Sequence, residues 1–233
     1  MRSPFANIPP VVKNLLIINV LFFVATYALR AQFDMVANLS AFYFDSPFFK
    51  PWQVITYMFM HAGFEHIFFN MFALFMFGPM VEYTLGSKKF FNYYFITGIG
   101  ALALHMLVQA IQIYSILGTF TATGMGMMPN ISQADLNTLQ GLYSTPILGV
   151  SGAVFGILVA FGMLFPDVEM MILFIPVPIK AKYVVLGYVA IELFSGFGRF
   201  QGDSVAHFAH LGGALFGYLM LKIWGVRRPN KFY

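Results

Sequence analysis

Apolar runs at 12–29, 62–85, 90–117, 148–165, 183–195 and 204–224 recur along this 233-residue chain, and no other feature restricts its fold as much. A helix needs about 20 such residues to cross a hydrocarbon core. In lipid no water is at hand to bond a bare peptide group, so each segment must satisfy its own N–H and C=O groups. Helices do this, and the alternating ten-residue segments of an outer-membrane barrel are absent from the sequence. Composition agrees: 59% of residues are hydrophobic and 9% charged, against about 25% charged in a soluble domain. Mean hydropathy is +0.76. The expected fold class is all-α: a polytopic membrane protein, a bundle of six transmembrane helices forming a single domain over 1–233.

The connections refine this. Residues 31–60 carry prolines, Asp34, Asp45 and Lys50 among aromatics, which suits a loop lying in the membrane interface. Residues 118–146 read as a polar loop, and 171–177, too short to cross and bracketed by Pro176 and Pro178, as an extended interfacial turn. The first run has the charge and apolar middle of a signal peptide but no small-residue cleavage site after it, so a retained span is expected. Without cysteine there is no disulfide or thiolate chemistry. The pI near 9.2 does not point to nucleic acid, because the basic residues sit in short connections. With six spans, Arg2, Lys13, Lys88, Lys89, Lys180, Lys182, Lys222, Arg227, Arg228 and Lys231 share one side, and Arg30, Lys50 and Arg199 the other. That asymmetry predicts both termini in the cytoplasm, in a multi-pass protein of the inner membrane of a prokaryotic cell.

In this orientation the even-numbered spans run inward from the outside. Ser151 opens the fourth, His66 and Asn70 share a face of the second at i,i+4 spacing, and His210 lies two turns into the sixth. Four polar side chains thus fall at similar depth. Singly, each has a structural reading: a serine can cap its helix, and His or Asn can bond a neighbouring carbonyl. Ionisable groups inside a membrane are nevertheless costly and mark functional sites. Gly152 with Gly156, and Gly213 with Gly217, are pairs four apart that let two helices approach closely. Such contact would bring the Ser151 hydroxyl to the His210 imidazole, which is how a weak serine nucleophile is activated. No carboxylate stands at an obvious position behind that histidine. Asp203 suits a cap, Glu192 and His105 read as internal glue, and Glu82 as a structural hydrogen-bonder. The expectation is therefore a dyad, with His61 and His207 in support. A nucleophile elbow is excluded, since Gly149-Val150-Ser151-Gly152-Ala153 lacks its last glycine and follows no strand. No His-Glu-x-x-His occurs, and no charged path of the kind a transporter needs crosses the spans.

Three motifs together resemble the rhomboid family of intramembrane serine proteases over about residues 12–224. They are Gly149-Val150-Ser151-Gly152, His61-x-x-x-x-His66-x-x-x-Asn70, and Ala209-His210-Leu211-Gly212-Gly213-Ala214-Leu215-Phe216-Gly217. The resemblance implies Ser151 as nucleophile and His210 as general base, then acid. It implies an oxyanion hole of the His66 and Asn70 side chains with the backbone N–H of Ser151 and Val150. It assigns supporting roles to Gly149, Gly152, Phe155, Gly213, Gly217 and His61, with Phe155 stacked under the histidine where the family often has tyrosine. Trp52-Gln53 resembles the family's Trp-Arg pair, with glutamine in place of arginine. The implied substrates are transmembrane segments of other proteins, with small residues near the cut, in the lipid bilayer and with no cofactor or metal. The fifth span and the loop from Ser195 to Asp203, with Gly196, Gly198 and Gly202, would form a gate and cap. The alternative is a non-catalytic relative that binds transmembrane clients; such relatives typically lack the serine or the histidine, and this chain has both.

Overall fold

A computed structural model describes residues 8–122, 131–172, 175–197 and 204–229. In chain order these form α1 (Pro10–Ala28), α2 (Met35–Leu39), α3 (Gln53–Thr56), a 3-10 turn (Tyr57–Phe59), α4 (Phe64–Leu85), α5 (Ser87–Leu117), α6 (Gln133–Ser144) and α7 (Ser151–Leu164). A hairpin, β1 (Glu169–Ile172) and β2 (Ile175–Lys180), leads to α8 (Ala181–Phe197) and α9 (Ser204–Ile223). The chain is an all-α polytopic membrane protein, and α1, α4 and α5 are each long and apolar enough to cross a hydrocarbon core.

Helix ends depart from the apolar runs where glycine sets the backbone. Gly86, at φ +78°, is the only residue between α4 and α5, so the third long helix starts at Ser87 and not at 90. The run at 148–165 begins with three non-helical residues. Gly149 sits at φ +120°, where a side chain is strained, and Val150 is the N-cap of α7. The polar stretch 118–146, read as loop, contains α6, capped by Ser132, whose hydroxyl accepts the Asp135 N–H at 3.1 Å. The 171–177 turn is part of an antiparallel hairpin with Glu169 opposite Lys180.

α7 is the axis of the bundle, packed by α4, α5, α8 and α9. Its sequence is apolar all round because it is buried all round. Glycine makes its contact with α9 possible. A Cβ at Gly213 would overlap the Gly152 carbonyl, and one at Gly217 would collide with the Tyr93 hydroxyl and lie 3.0 Å from Gly156 Cα. That tyrosine donates to the Gly156 carbonyl at 2.7 Å. On the other flank, Glu82, 1% exposed, closes the start of α1. Its Oε1 and Oε2 accept the N–H groups of Val11 (3.1 Å) and Val12 (2.8 Å), and Oε1 also accepts the Ser87 hydroxyl at 2.7 Å. A carboxylate on the unpaired N–H groups of a helix start is favourable in both hydrogen bonding and dipole.

Between α1 and α4 the chain folds into a platform pinned by buried polar groups. Gln53, fully buried, accepts the Lys50 N–H at 2.9 Å and donates to the Phe48 carbonyl at 3.2 Å. Trp52 Nε1 donates to the Asn38 carbonyl at 3.0 Å. Glutamine thus ties the loop to itself. Asp45 reaches across to accept the Ala122 N–H (2.7 Å) and the Tyr143 hydroxyl (3.0 Å). Tyr43, Leu139, Leu142 and Tyr143 form a second small core with the end of α5.

Candidate active site

The site grows from the start of α7. Residues before it are held extended: Ala41 and Ile147 exchange backbone hydrogen bonds of 2.8 and 2.7 Å, and the Gly149 N–H donates to the Tyr57 carbonyl at 3.0 Å. The left-handed turn at Gly149 then delivers Ser151 as the first residue of the helix. No side chain caps this terminus, so Ser151 is not a capping serine. Its Oγ instead lies 2.9 Å from Nε2 of His210. Backbone N–H groups in the first turn of a helix have no intrahelical partner and carry the positive end of the helix dipole, and Ser151 contributes one of them.

His210 reaches this hydroxyl because α9 lies so close to α7. Phe155, one turn beyond the serine, holds the ring flat, with centroids 4.4 Å apart and planes 6° from parallel. On the opposite wall, His66 Nδ1 accepts the Ala62 N–H at 3.3 Å, which leaves the proton on Nε2. His66 and Ser151 line one cavity. A Cβ built at Gly149 would sit 2.8 Å from His66 Nε2 and 3.9 Å from Ser151 Oγ. Glycine there is required twice, by backbone angle and by the imidazole. His61 packs edge-on against His66, centroids 5.1 Å apart. Burial, and then the His66 ring, push the His61 pKa down to about 4. Asn70 is one turn from His66 and donates to the His66 carbonyl at 2.8 Å. It does not line the cavity, and one of its two N–H groups is committed to the backbone. Val150, 1% exposed, lies in the core.

A cavity of about 680 Å³ opens over these groups. His66, Ser151 and His210 form its floor, and Asn137, Thr138, Gly141 and Leu142 of α6 line it, with Tyr57, His105 and Gln109. Its polar wall was not legible as such. α6 lies in a stretch whose polar composition reads as loop, and His105, read as internal glue, also lines the cavity.

The expectation that no carboxylate stands behind His210 is corrected. Glu192 of α8, 9% exposed, places Oε1 3.1 Å from His210 Nδ1, though not aligned for a straight hydrogen bond. Its Oε2 lies 2.6 Å from His207 Nδ1. The ligand atoms of Glu192, His207 and His210 all lie within 4.8 Å of one another, a set that could hold a metal ion, where none was expected. The residues connect three helices: α7 to α9 through Ser151 and His210, and α9 to α8 through the two histidines and Glu192. From sequence, Glu192 and His210 are eighteen residues apart on different helices, with Gly198, Gly202 and Asp203 of the expected cap outside the described residues. Only the rarity of a carboxylate in an apolar span marked Glu192.

The pattern defining the Rhomboid domain matches residues 49–227. The chain is 29% identical over 167 residues to Rhomboid protein 1, mitochondrial, of Saccharomyces cerevisiae, covering 72% of this chain and 40% of that one. It is 28% identical over 180 residues to Rhomboid protease AarA of Providencia stuartii, covering 72% and 54%. It is 26% identical over 199 residues to Rhomboid-like protein 11, chloroplastic, of Arabidopsis thaliana, covering 83% and 59%. The chain therefore spans about half the length of these relatives. A match across the platform, the serine helix and the histidine helix, on a bundle of this architecture, assigns the chain to the rhomboid family.

Proposed function

We propose that this chain is an intramembrane serine endopeptidase that hydrolyses peptide bonds in transmembrane segments of other membrane proteins. The observation that carries the reading is the 2.9 Å contact between Ser151 Oγ and His210 Nε2, made inside a cavity and under a stacked aromatic ring. A serine hydroxyl is a poor nucleophile until a neighbouring base takes its proton. The name of the Providencia stuartii relative, a rhomboid protease, supports the same chemistry.

In this reading Ser151 Oγ attacks the scissile carbonyl carbon while its proton passes to His210 Nε2. The oxyanion draws on the two donors that line the cavity, the His66 Nε2–H and the backbone N–H of Ser151, and preorganised donors at low dielectric each contribute several kcal/mol. Collapse breaks the C–N bond, and His210 returns its proton to the leaving amine. Water admitted to the cavity then attacks the acyl-serine, with His210 again as base. A substrate helix hides its carbonyls in its own hydrogen bonds, so the segment must unwind locally to be cut. The basic bias of the connections supports cytoplasmic termini, which sets the cavity toward the outer side of the bilayer.

Reaction with a fluorophosphonate probe tests the dyad in purified protein. Wild type is expected to be labelled at Ser151, and His210→Ala is not. Equal labelling of both, or none in folded wild type, contradicts the reading, and the second result would favour a member of the fold that binds transmembrane clients without cutting them.

A further inference from the structure

Glu192 has no part in the two-residue chemistry above, yet it is a carboxylate buried to 9% exposure in an apolar helix. A charge so placed is costly unless it is paired on every side. Both of its oxygens are paired, and both partners are imidazoles of α9, one turn apart: His210 Nδ1 at 3.1 Å from Oε1 and His207 Nδ1 at 2.6 Å from Oε2. The position is defined from the other side too. His210 offers Nε2 to Ser151, and a base must present a lone pair there, so its proton has to reside on Nδ1. A neutral imidazole with no acceptor at Nδ1 carries that proton on either nitrogen.

We propose, on the basis of the protease reading, that Glu192 is a positioning residue for catalysis. Its Oε1 takes the Nδ1–H of His210 and so holds the tautomer whose Nε2 lone pair faces Ser151, while His207 holds Oε2 and keeps the carboxylate from turning away. When the Ser151 proton moves to Nε2, the Nδ1 proton stays on the ring. The carboxylate remains ionised and stabilises the imidazolium that results, as an acid behind a catalytic histidine does elsewhere. The bent contact at 3.1 Å is of the kind that straightens when substrate is bound. Because the base rides on α9 and its orienting carboxylate on α8, catalysis requires α8 to rest against α9. A displaced α8 leaves the serine and histidine in contact but the histidine undirected.

The test uses full-length protein in detergent with a fluorescent transmembrane peptide substrate. Glu192→Gln is expected to lower kcat on the order of 10²-fold with KM changed less than about twofold, to slow fluorophosphonate labelling of Ser151 by the same factor, and to be partly rescued by Glu192→Asp. An unchanged kcat in folded Glu192→Gln overturns the proposal. The second measurement needs no substitution at Glu192. In wild type labelled with 15N-histidine, with His210 assigned by its loss in His210→Ala, neutral His210 is expected as the Nδ1–H tautomer. An Nε2–H tautomer overturns the proposal whatever the variants do. Absence of cleavage by wild type itself would sink the protease reading; cleavage by wild type and Glu192→Gln at equal kcat sinks only the role of Glu192.

Discussion

The residues around Ser151 are specified by what they exclude as much as by what they bond. Gly149 is glycine because φ +120° and the His66 ring leave no room for a Cβ. In the proposed mechanism the His66 Nε2–H meets the developing negative charge. His66→Ala is accordingly expected to lower kcat about 10²- to 10³-fold, as loss of one oxyanion donor does, with little change in thermal stability. Steady-state kinetics on a peptide substrate checks it. Behind His66, His61 carries a testable pH signature. Its pKa is near 4 in the folded protein against an ordinary 6.5, so the unfolded chain binds more protons between those values. The stability it contributes is complete above about pH 6.5 and is lost as pH falls toward 4. Unfolding in detergent followed across this window should show His61→Gln losing less stability than wild type on acidification, by up to about 3 kcal/mol. Parallel curves would refute it.

At the scale of elements, the contact of α7 with α9 sets the serine–histidine distance. The two glycine pairs, Gly152/Gly156 and Gly213/Gly217, were legible as close-approach surfaces because spacing of four is a property of the sequence alone. What could not be read was which neighbours would fill the remaining space: Tyr93 against Gly217, Ala101 against Gly152, Thr97 against Gly156. Gly213→Ala drives a methyl into the Gly152 backbone carbonyl, which has no rotamer to escape into, and is expected to cost about 1–3 kcal/mol or more and to reduce activity. Gly187→Ala on α8, where a Cβ meets nothing within 4 Å, serves as the control and should lose no stability. Thermal unfolding of the two variants in one detergent decides it. The same limit explains the other departures. α6 is a polar helix stabilised by its Ser132 cap and by packing on Tyr43, and neither signal stands out from a polar stretch. Glu192 does join two helices, as a glue residue would, but its place behind His210 could not be read because nothing in the sequence says which helix face α8 turns toward α9.

For the whole molecule, apolar runs and the physics of lipid were enough to give an all-α membrane bundle, because each span must satisfy its own peptide groups. The platform between α1 and α4 was less accessible, since its order comes from single buried side chains such as Gln53 and Asp45 and not from any period. Its function in this account is architectural: through Ala41 and Tyr57 it clamps the strand-like segment that leads into Gly149, and so fixes where α7 begins. Assembled, the platform, the central helix and its glycine-lined partner hold one hydroxyl and one imidazole in contact in a 680 Å³ cavity. The decisive measurement is cleavage of a labelled single-span substrate by the purified protein in detergent, with products identified by mass spectrometry. Wild type should cut within the apolar segment, and neither Ser151→Ala nor His210→Ala should do so. The same products at the same rate from either variant would contradict the account.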